Sequence, residues 1–343
     1  MKKELNSFSY EQLEKYIIGI GEKKFRVNQL YDWMHGKMVA DFDEMTNLSK
    51  NLKEKLCMDT KLVNLEIVKK HESKEDSTAK YLFRLEDDNI IESVFMKYNH
   101  GNSVCISSQV GCRMGCKFCA STIGGLTRNL SNGEMLQQIY AIQKDVGEKI
   151  TNVVIMGSGE PLENYSELIL FLNNINDERG QNIGLRNITV STCGLTDKIK
   201  KLAEEKYPIT LAISLHAPND KIRNEIMPIS RKNDYEQLIN ACRYYLRCTN
   251  RRITFEYALI KGVNDSDTCA YELATKLKGL LCHVNLIPVN SVKEKNYIQS
   301  TKTTIKKFQS ILETKGIVTT VRRELGSDIN AACGQLRKSY LDK

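Results

Sequence analysis

Histidine is scarce in this chain, five residues in 343, and there is a single tryptophan. So few imidazoles leave little material for a histidine-built zinc site. No run of about 18 apolar residues occurs, so no membrane-spanning helix is expected. The opening stretch Lys2-Lys3-Glu4-Leu5-Asn6 has none of the apolar core a signal peptide needs, and a cytoplasmic protein is expected. Cysteine, by contrast, is plentiful. Eleven cysteines, an odd count, argue for metal and redox use rather than a disulfide framework. Apolar content of 41% and charged content of 27% fit a soluble globular chain, long enough for one large domain and a small one. A net charge of +8 suits a polyanionic partner, RNA or DNA.

Three of the cysteines stand together as Cys112-Arg113-Met114-Gly115-Cys116-Lys117-Phe118-Cys119, a C-x3-C-x2-C run. Structural zinc closes four ligands, usually from two paired motifs, and no second Cys or His pair follows at such a spacing. An iron–sulfur cube has four irons and takes cysteine ligands, so three thiolates leave one iron open for chemistry. The spacing, with Phe118 before the last cysteine, resembles the cluster loop of the radical S-adenosylmethionine superfamily. In that superfamily the open iron chelates the amino and carboxylate groups of S-adenosylmethionine, whose reductive cleavage gives a 5′-deoxyadenosyl radical.

Around this loop the hydrophobic period changes twice. Up to about residue 75 it is helical. Ser9-Tyr10-Glu11-Gln12 reads as a capping box, followed by Leu13, Tyr16, Ile17 and Ile20 on one face until Gly21. A second helix carries Val27, Leu30, Tyr31 and Met34, and a third runs from Leu48 to Leu56. Lys23, Lys24, Arg26, Lys37, Lys50, Lys53 and Lys55 lie on this unit and could together dock phosphates. From about residue 78 the period is two. Strands are expected through Tyr81–Leu85, Ile90–Met96 and Val104–Gln109, a meander that leads into the cysteine loop. Beyond it, Ser131-Asn132-Gly133-Glu134 caps a helix bearing Leu136, Ile139, Tyr140 and Gln143. Six strand-like runs (Val153–Met156, Ile188–Ser191, Ile209–Ile213, Ile253–Ala258, Val284–Ile287, Val318–Val321) alternate with helical stretches near 165–177, 195–206, 233–247, 267–279 and 300–314. Such repeats mean a parallel sheet or barrel, and six strands are too few to close an eight-stranded one.

Polar residues follow these strands where a barrel builds its site. Gly157-Ser158-Gly159-Glu160-Pro161 lacks the third glycine of a dinucleotide fingerprint, and Glu160 would repel a pyrophosphate. Glycines beside a carboxylate suit a cationic ligand such as the α-ammonium of S-adenosylmethionine. Ser191 ends the next strand, Ser214-Leu215-His216 the third, and Asn290 follows Ile287 and Pro288. These are groups suited to sulfonium, ribose and adenine. The far end, Gly326 to Leu336, is a loop of small residues displaying one thiol, Cys333, beyond the final strand. A buried core cysteine and a mounted nucleophile are both open there.

Taken together, the chain resembles the RlmN/Cfr family of radical S-adenosylmethionine RNA methyltransferases over nearly its whole length. The likeness rests on Tyr31-Asp32-Trp33, Phe42 to Lys50, Cys105 to Cys112, Gly159-Glu160-Pro161-Leu162, Ser214-Leu215-His216 and Ala332-Cys333-Gly334-Gln335-Leu336. Ser158 stands where the family more often has methionine. The resemblance implies an α/β fold: a partial (β/α)6 radical-SAM barrel, residues 76–343, with a short β-meander extension and a C-terminal cysteine loop, behind a small helical domain, residues 1–75.

It also implies one 4Fe-4S cluster on Cys112, Cys116 and Cys119, and two S-adenosylmethionine molecules per turnover, bound by Gly159, Glu160, Ser191, Ser214, Leu215, His216 and Asn290. One methyl group would go to Cys333, and a 5′-deoxyadenosyl radical would activate it for addition to an electron-poor adenine carbon. Glu92 is then the proton acceptor, and Cys105 releases the product through a transient disulfide with Cys333. The implied substrates are 23S rRNA, at the peptidyl transferase centre, and tRNA, 3′ of the anticodon, methylated at adenosine C2. Exposing the base requires flipping or local unfolding. The helical unit, with Arg322 and Arg323, is where phosphate contacts are expected. A flavodoxin-like electron donor and a monomeric state are expected, with no membrane partner. Pro161 favours C2 over the Cfr-type C8 methylation that gives antibiotic resistance, since Cfr-like chains read Gly-Glu-Ala there. An iron–sulfur electron carrier or RNA-binding module would have no need of Cys333. A methylthiotransferase would need a second cysteine set where only Cys57 and Cys105 stand.

Overall fold

Apolar residues at 3.6-residue and two-residue periods sort the chain into helices and strands in the computed structural model, which describes residues 2–99, 101–290, 292 and 294–336. The N-terminal unit holds α1 (Tyr10–Gly19), α2 (Phe25–Tyr31) and α3 (Lys50–Asp59). Ser9 and Gln12 form the expected capping box at the start of α1. Leu13, Ile17, Val27, Leu30, Met34, Leu52 and Leu56 gather in a cluster of their own. The second helix does not continue regularly to Met34. It widens into a π-turn over Asp32–Gly36, which carries His35 inward.

Ten strands follow in one sheet: β1 (Glu66–Glu72), β2 (Thr78–Arg84), β3 (Ile90–Tyr98), β4 (Gly101–Cys105), β5 (Asn152–Ile155), β6 (Ile188–Thr192), β7 (Thr210–Ser214), β8 (Ile253–Leu259), β9 (Cys282–Pro288) and β10 (Thr319–Val321). Their spatial order is their chain order. β1 to β4 are antiparallel, and from β4 onward every neighbouring pair is parallel. β4 therefore ends the meander and also begins the parallel array, which has one strand more than the six read from sequence. The strand expected to run from Val104 to Gln109 breaks after Cys105. There Ser107 Oγ donates to the Glu92 carbonyl at 2.7 Å, and the Ser108 N–H turns to the Ser158 carbonyl at 2.9 Å. Gln109–Gly111 then pairs with Leu126–Asn129 as a separate two-stranded ribbon.

The connections between parallel strands carry α4 (Asn132–Val146), α5 (Tyr165–Asn176), α6 (Thr196–Glu205), α7 (Asp220–Ile226), α8 (Tyr235–Thr249), α9 (Asp267–Leu277) and α10 (Lys302–Thr314). Only α7 has no counterpart in the sequence reading; it is too short to show a period. Strand alternation divides the two faces of the sheet. Ile253, Phe255, Tyr257 and Leu259 of β8 face the helices, as do Leu211 and Ile213 of β7, and Cys282, Val284 and Leu286 of β9. The intervening Ser214, Glu256, Ala258 and Ile287 line the concave face. The result is a partial (β/α) barrel with helices outside and a polar mouth inside.

The helical unit is joined to this body by polar contacts. Asn132 of α4 donates to the Ser7 carbonyl at 2.8 Å, and the Gly133 N–H to Ser7 Oγ at 3.2 Å. The buried His35 Nδ1 meets the Tyr140 hydroxyl of α4 at 3.0 Å, while its carbonyl accepts from Gln181. Among the described residues no helix is long and apolar enough to cross a membrane.

Candidate active site

The cysteine loop needs its glycines. Gly111 and Gly115 both have positive φ, and a Cβ on Gly111 would lie 2.0 Å from the Gly125 carbonyl oxygen. Behind the loop, Cys112 and Met114 pack with Cys193, Ile226, Met227, Ile260 and Val289. In front, Cys112, Cys116 and Cys119 open onto one cavity of about 970 Å³ at the carboxyl ends of the parallel strands. Burial raises all three thiols, Cys112 to about 12, so without a metal they are neutral. Metal ligation would deprotonate them and release protons. Among the described residues no three His, Cys, Asp or Glu side chains are placed to hold a single metal ion. Three thiols along one cavity wall, backed by apolar side chains and with no fourth ligand converging, fit an iron–sulfur cube with one open iron.

The strand-end residues mostly converge on the same space. Gly159, Glu160, Ser191, Ser214, His216 and Asn290 all line it. Gly159 has φ +108°, and a Cβ there would sit 2.6 Å from the Gln109 Cβ. The turn is therefore reserved for glycine. Both oxygens of the buried Glu160 accept backbone N–H groups, from Cys193 at 2.7 Å and Leu162 at 3.0 Å. Burial pushes its carboxyl up despite those bonds. His216 Nδ1 accepts the Ala258 N–H at 2.9 Å, which leaves the hydrogen of the neutral ring on Nε2. Burial, then the Arg223 charge, hold it down at about 3, so the ring is neutral at physiological pH.

Two expected contacts are placed differently. Leu215 does not reach the cavity; its side chain lies wholly in the main core. Neighbouring strand residues face opposite sides, so Leu215 turns away where Ser214 turns in. His216 returns to the cavity through its left-handed backbone, φ +56°. Asn290 does line the cavity, but its Nδ2 donates to the Cys333 carbonyl at 2.9 Å.

The C-terminal loop is bound over the inner face. The Ala120 N–H donates to the Gly334 carbonyl at 2.7 Å, and Ser121 Oγ to the Leu336 carbonyl at 2.6 Å. Ala331 and Leu336 cover Val94, Met96 and Cys105 of β3 and β4. Beneath the loop a second cavity of about 560 Å³ is lined by Cys105, Tyr98, Met156 and Cys333. Cys333 thus stands in the wall between the two cavities, with the cluster-loop cysteines on one side and Cys105 on the other. Both are free thiols, and burial followed by the nearby Cys333 raises Cys105 to about 12. Glu92 lines neither cavity. It lies buried next to β4, 3.9 Å from the Lys80 ammonium, itself 3.4 Å from the Asn330 carbonyl of the loop.

Two further cavity residues carry no motif. Arg322, expected near the mouth among the phosphate contacts, faces the cavities. It lines both cavities, 4.0 Å from Glu256 and 3.7 Å from Met156 Sδ. Glu256 is a carboxylate in mid-strand, raised by burial and bonded by Asn285 at 2.9 Å. Its inward place follows from the alternation of β8, but nothing in the sequence distinguishes it from a surface glutamate.

Comparison with known proteins bears on the same regions. Residues 3–62 match the model of the ribosomal RNA large subunit methyltransferase N-terminal domain, and residues 106–272 that of the radical SAM superfamily. A probable dual-specificity RNA methyltransferase RlmN of Lachnospira eligens is 57% identical over 99% of this chain and 97% of its own. One from Alkaliphilus oremlandii is 58% identical, covering 99% of both chains. The crystal structure of a radical SAM methyltransferase from Sphaerobacter thermophilus superimposes with a TM-score of 0.94 at 43% identity, covering 98% of this chain and 100% of that one.

Proposed function

The chain belongs to the RlmN family of radical SAM RNA methyltransferases, and from that membership we propose that it methylates C2 of adenosine in 23S rRNA and tRNA, with Cys333 as the methyl carrier. The observation that carries this reading is the position of Cys333 in the wall shared by two cavities. A thiol that takes up a group on one side and is discharged by a second thiol on the other needs that placement.

Cys112, Cys116 and Cys119 would hold a 4Fe-4S cluster, with S-adenosylmethionine among Gly159, Glu160, Ser191, Ser214 and the Nε2–H of His216. Together these cofactors, when bound, supply a methyl group and one-electron chemistry able to remove hydrogen from an unactivated carbon. The protein's part is placement and release. Asn290 and the Ala120 N–H fix the backbone carbonyls of Cys333 and Gly334. Apolar packing behind the cysteine loop keeps water from its inner side. Once the methyl-derived carbon is joined to both the base and Cys333, a carboxylate must take the C2 proton. We assign this to Glu92, which shares the sheet face of Cys105 under the loop. Cys105 then attacks Cys333 Sγ as a thiolate. The sulfur–sulfur bond forms as the carbon–sulfur bond breaks, and the freed carbon takes up a proton to complete the methyl group. The electron left unpaired by the radical addition would pass to the cluster that Cys112, Cys116 and Cys119 would hold. This leaves the methylated base and a disulfide that an external dithiol must reduce. Arg322, beside both thiols, favours the thiolate that this attack needs.

The test is product analysis. Iron-loaded protein is incubated anaerobically with S-adenosylmethionine, a reductant and an RNA fragment containing the target adenosine, and the RNA is digested and resolved by mass and retention. Recovery of 2-methyladenosine is expected. Recovery of 8-methyladenosine, or of unmodified adenosine from competent enzyme, contradicts the reading.

A further inference from the structure

Among the described residues Arg223 is the largest side chain buried completely, 0% exposed, and it makes no ion pair with a carboxylate. Its guanidinium is satisfied by main-chain carbonyls: Nε donates to Leu215 at 3.3 Å, and Nη2 to Cys193 at 2.6 Å and Ser214 at 3.4 Å. These carbonyls lie at the ends of β6 and β7, so the side chain ties two adjacent strand ends at the cavity rim. The fork accounts for the hydrogen bonds but leaves a full positive charge in the interior. Burying a charge is costly unless an opposite charge is close. Glu160 does not meet it directly. Its Oε2 takes the Cys193 N–H at 2.7 Å while Arg223 takes the carbonyl of the same residue.

The helix that carries Arg223 is also the backing of the cysteine loop. The Lys117 N–H donates to the Ile226 carbonyl of α7 at 2.9 Å, and Ile226 and Met227 pack against Cys112 and Met114. Gly115 approaches Pro228, where a Cβ would be 3.6 Å from its ring. The positive charge therefore lies behind the cysteine loop, close enough to act on the Cys116 thiol and out of reach of water.

We propose that Arg223 is the built-in counter-charge of the iron–sulfur cluster, a positioning residue that favours its reduced state. The inference rests on the cluster assignment above. Three thiolates around an iron–sulfur core leave the loaded site negative, and one electron from an external reductant makes it more negative without making or breaking a bond. Arg223 stabilises that more negative state, since nearby charge and hydrogen bonding set the potential of such clusters. Iron-free protein bears the charge uncompensated, so loading relieves it.

The experiment compares wild type with Arg223→Gln, Arg223→Met and Arg223→Lys, all loaded anaerobically with iron and sulfide and titrated with dithionite and mediator dyes, without S-adenosylmethionine. The reduced cluster is read by electron paramagnetic resonance. Both neutral variants are expected to lower the reduced-to-oxidised ratio at the wild-type midpoint about tenfold, while Arg223→Lys keeps that midpoint. The gain in melting temperature on iron loading should also be smaller in the neutral variants than in wild type. A wild-type midpoint in fully loaded Gln and Met variants overturns the proposal. So does an equal shift in Arg223→Lys, or a shift that appears only once S-adenosylmethionine is added. Wild type that binds no iron would overturn the cluster assignment itself, and with it this inference. A loaded wild type with unmoved variants overturns the inference alone.

Discussion

At the scale of single residues, the cavity depends on positions where one atom decides the outcome. Gly159 combines a φ of +108° with a Cβ position 2.6 Å from Gln109, whose Oε1 takes the Glu160 N–H at 2.8 Å. Gly159→Ala therefore strains the backbone and displaces the side chain that holds the next residue. A cost of about 2–3 kcal/mol in urea unfolding is expected, together with loss of S-adenosylmethionine binding by calorimetry. A variant as stable as wild type that still binds the cofactor would show that the turn does not need glycine. The same scale separates what sequence could reveal from what it could not. Cys112, Cys116 and Cys119 are legible because their spacing is local and the loop that joins them is short. Leu215 turns its side chain into the core, which a motif read as a string could not show because it gives no face to its letters. Glu256 and Arg322 have no string to read at all; only the inner face of the sheet brings them to the thiols.

Elements were easier to read than their junctions. The capping boxes at Ser9 and Ser131 are present as their sequences suggest, because a cap is decided within four residues. The dual role of β4 was hidden because it depends on Val104 and Cys105 pairing with Val153 and Val154, far along the chain. The π-turn after α2 is likewise a tertiary feature, and it delivers His35 to Tyr140 of α4. Burial, partly offset by Asp177, lowers this imidazole to about 4, against about 6.5 in an unfolded chain. Below pH 6.5 the unfolded state binds a proton that the folded state refuses. The His35 contribution is thus complete above pH 6.5 and lost as pH falls towards 4, at up to about 1.4 kcal/mol per pH unit. His35→Gln should flatten that part of the stability profile, measured by urea unfolding at intervals between pH 7 and pH 4.5. Parallel profiles for the two proteins would mean that His35 is not held neutral.

For the whole molecule, the proposed division of labour is between lysines of the helical unit, expected to meet RNA phosphates, and the cavity at the strand ends, expected to hold the chemistry. Lys23 and Lys50 are exposed on that unit and far in sequence from any cavity residue. Reversing both to glutamate should weaken RNA binding at low salt and reduce the salt dependence by about two counterions, while leaving modification of Cys333 untouched. Unchanged RNA affinity would place the phosphate contacts elsewhere. The central claim is that Cys333 carries the methyl group, and its most direct test needs no RNA. Protein expressed with ample iron and kept reduced and anaerobic is digested with trypsin, and the mass of the peptide bearing Cys333 is measured. A species heavier by one methyl group, mapped by fragmentation to Cys333 and absent from Cys112→Ala protein, is the predicted result. An unmodified peptide from protein with an intact cluster and bound S-adenosylmethionine would contradict the account.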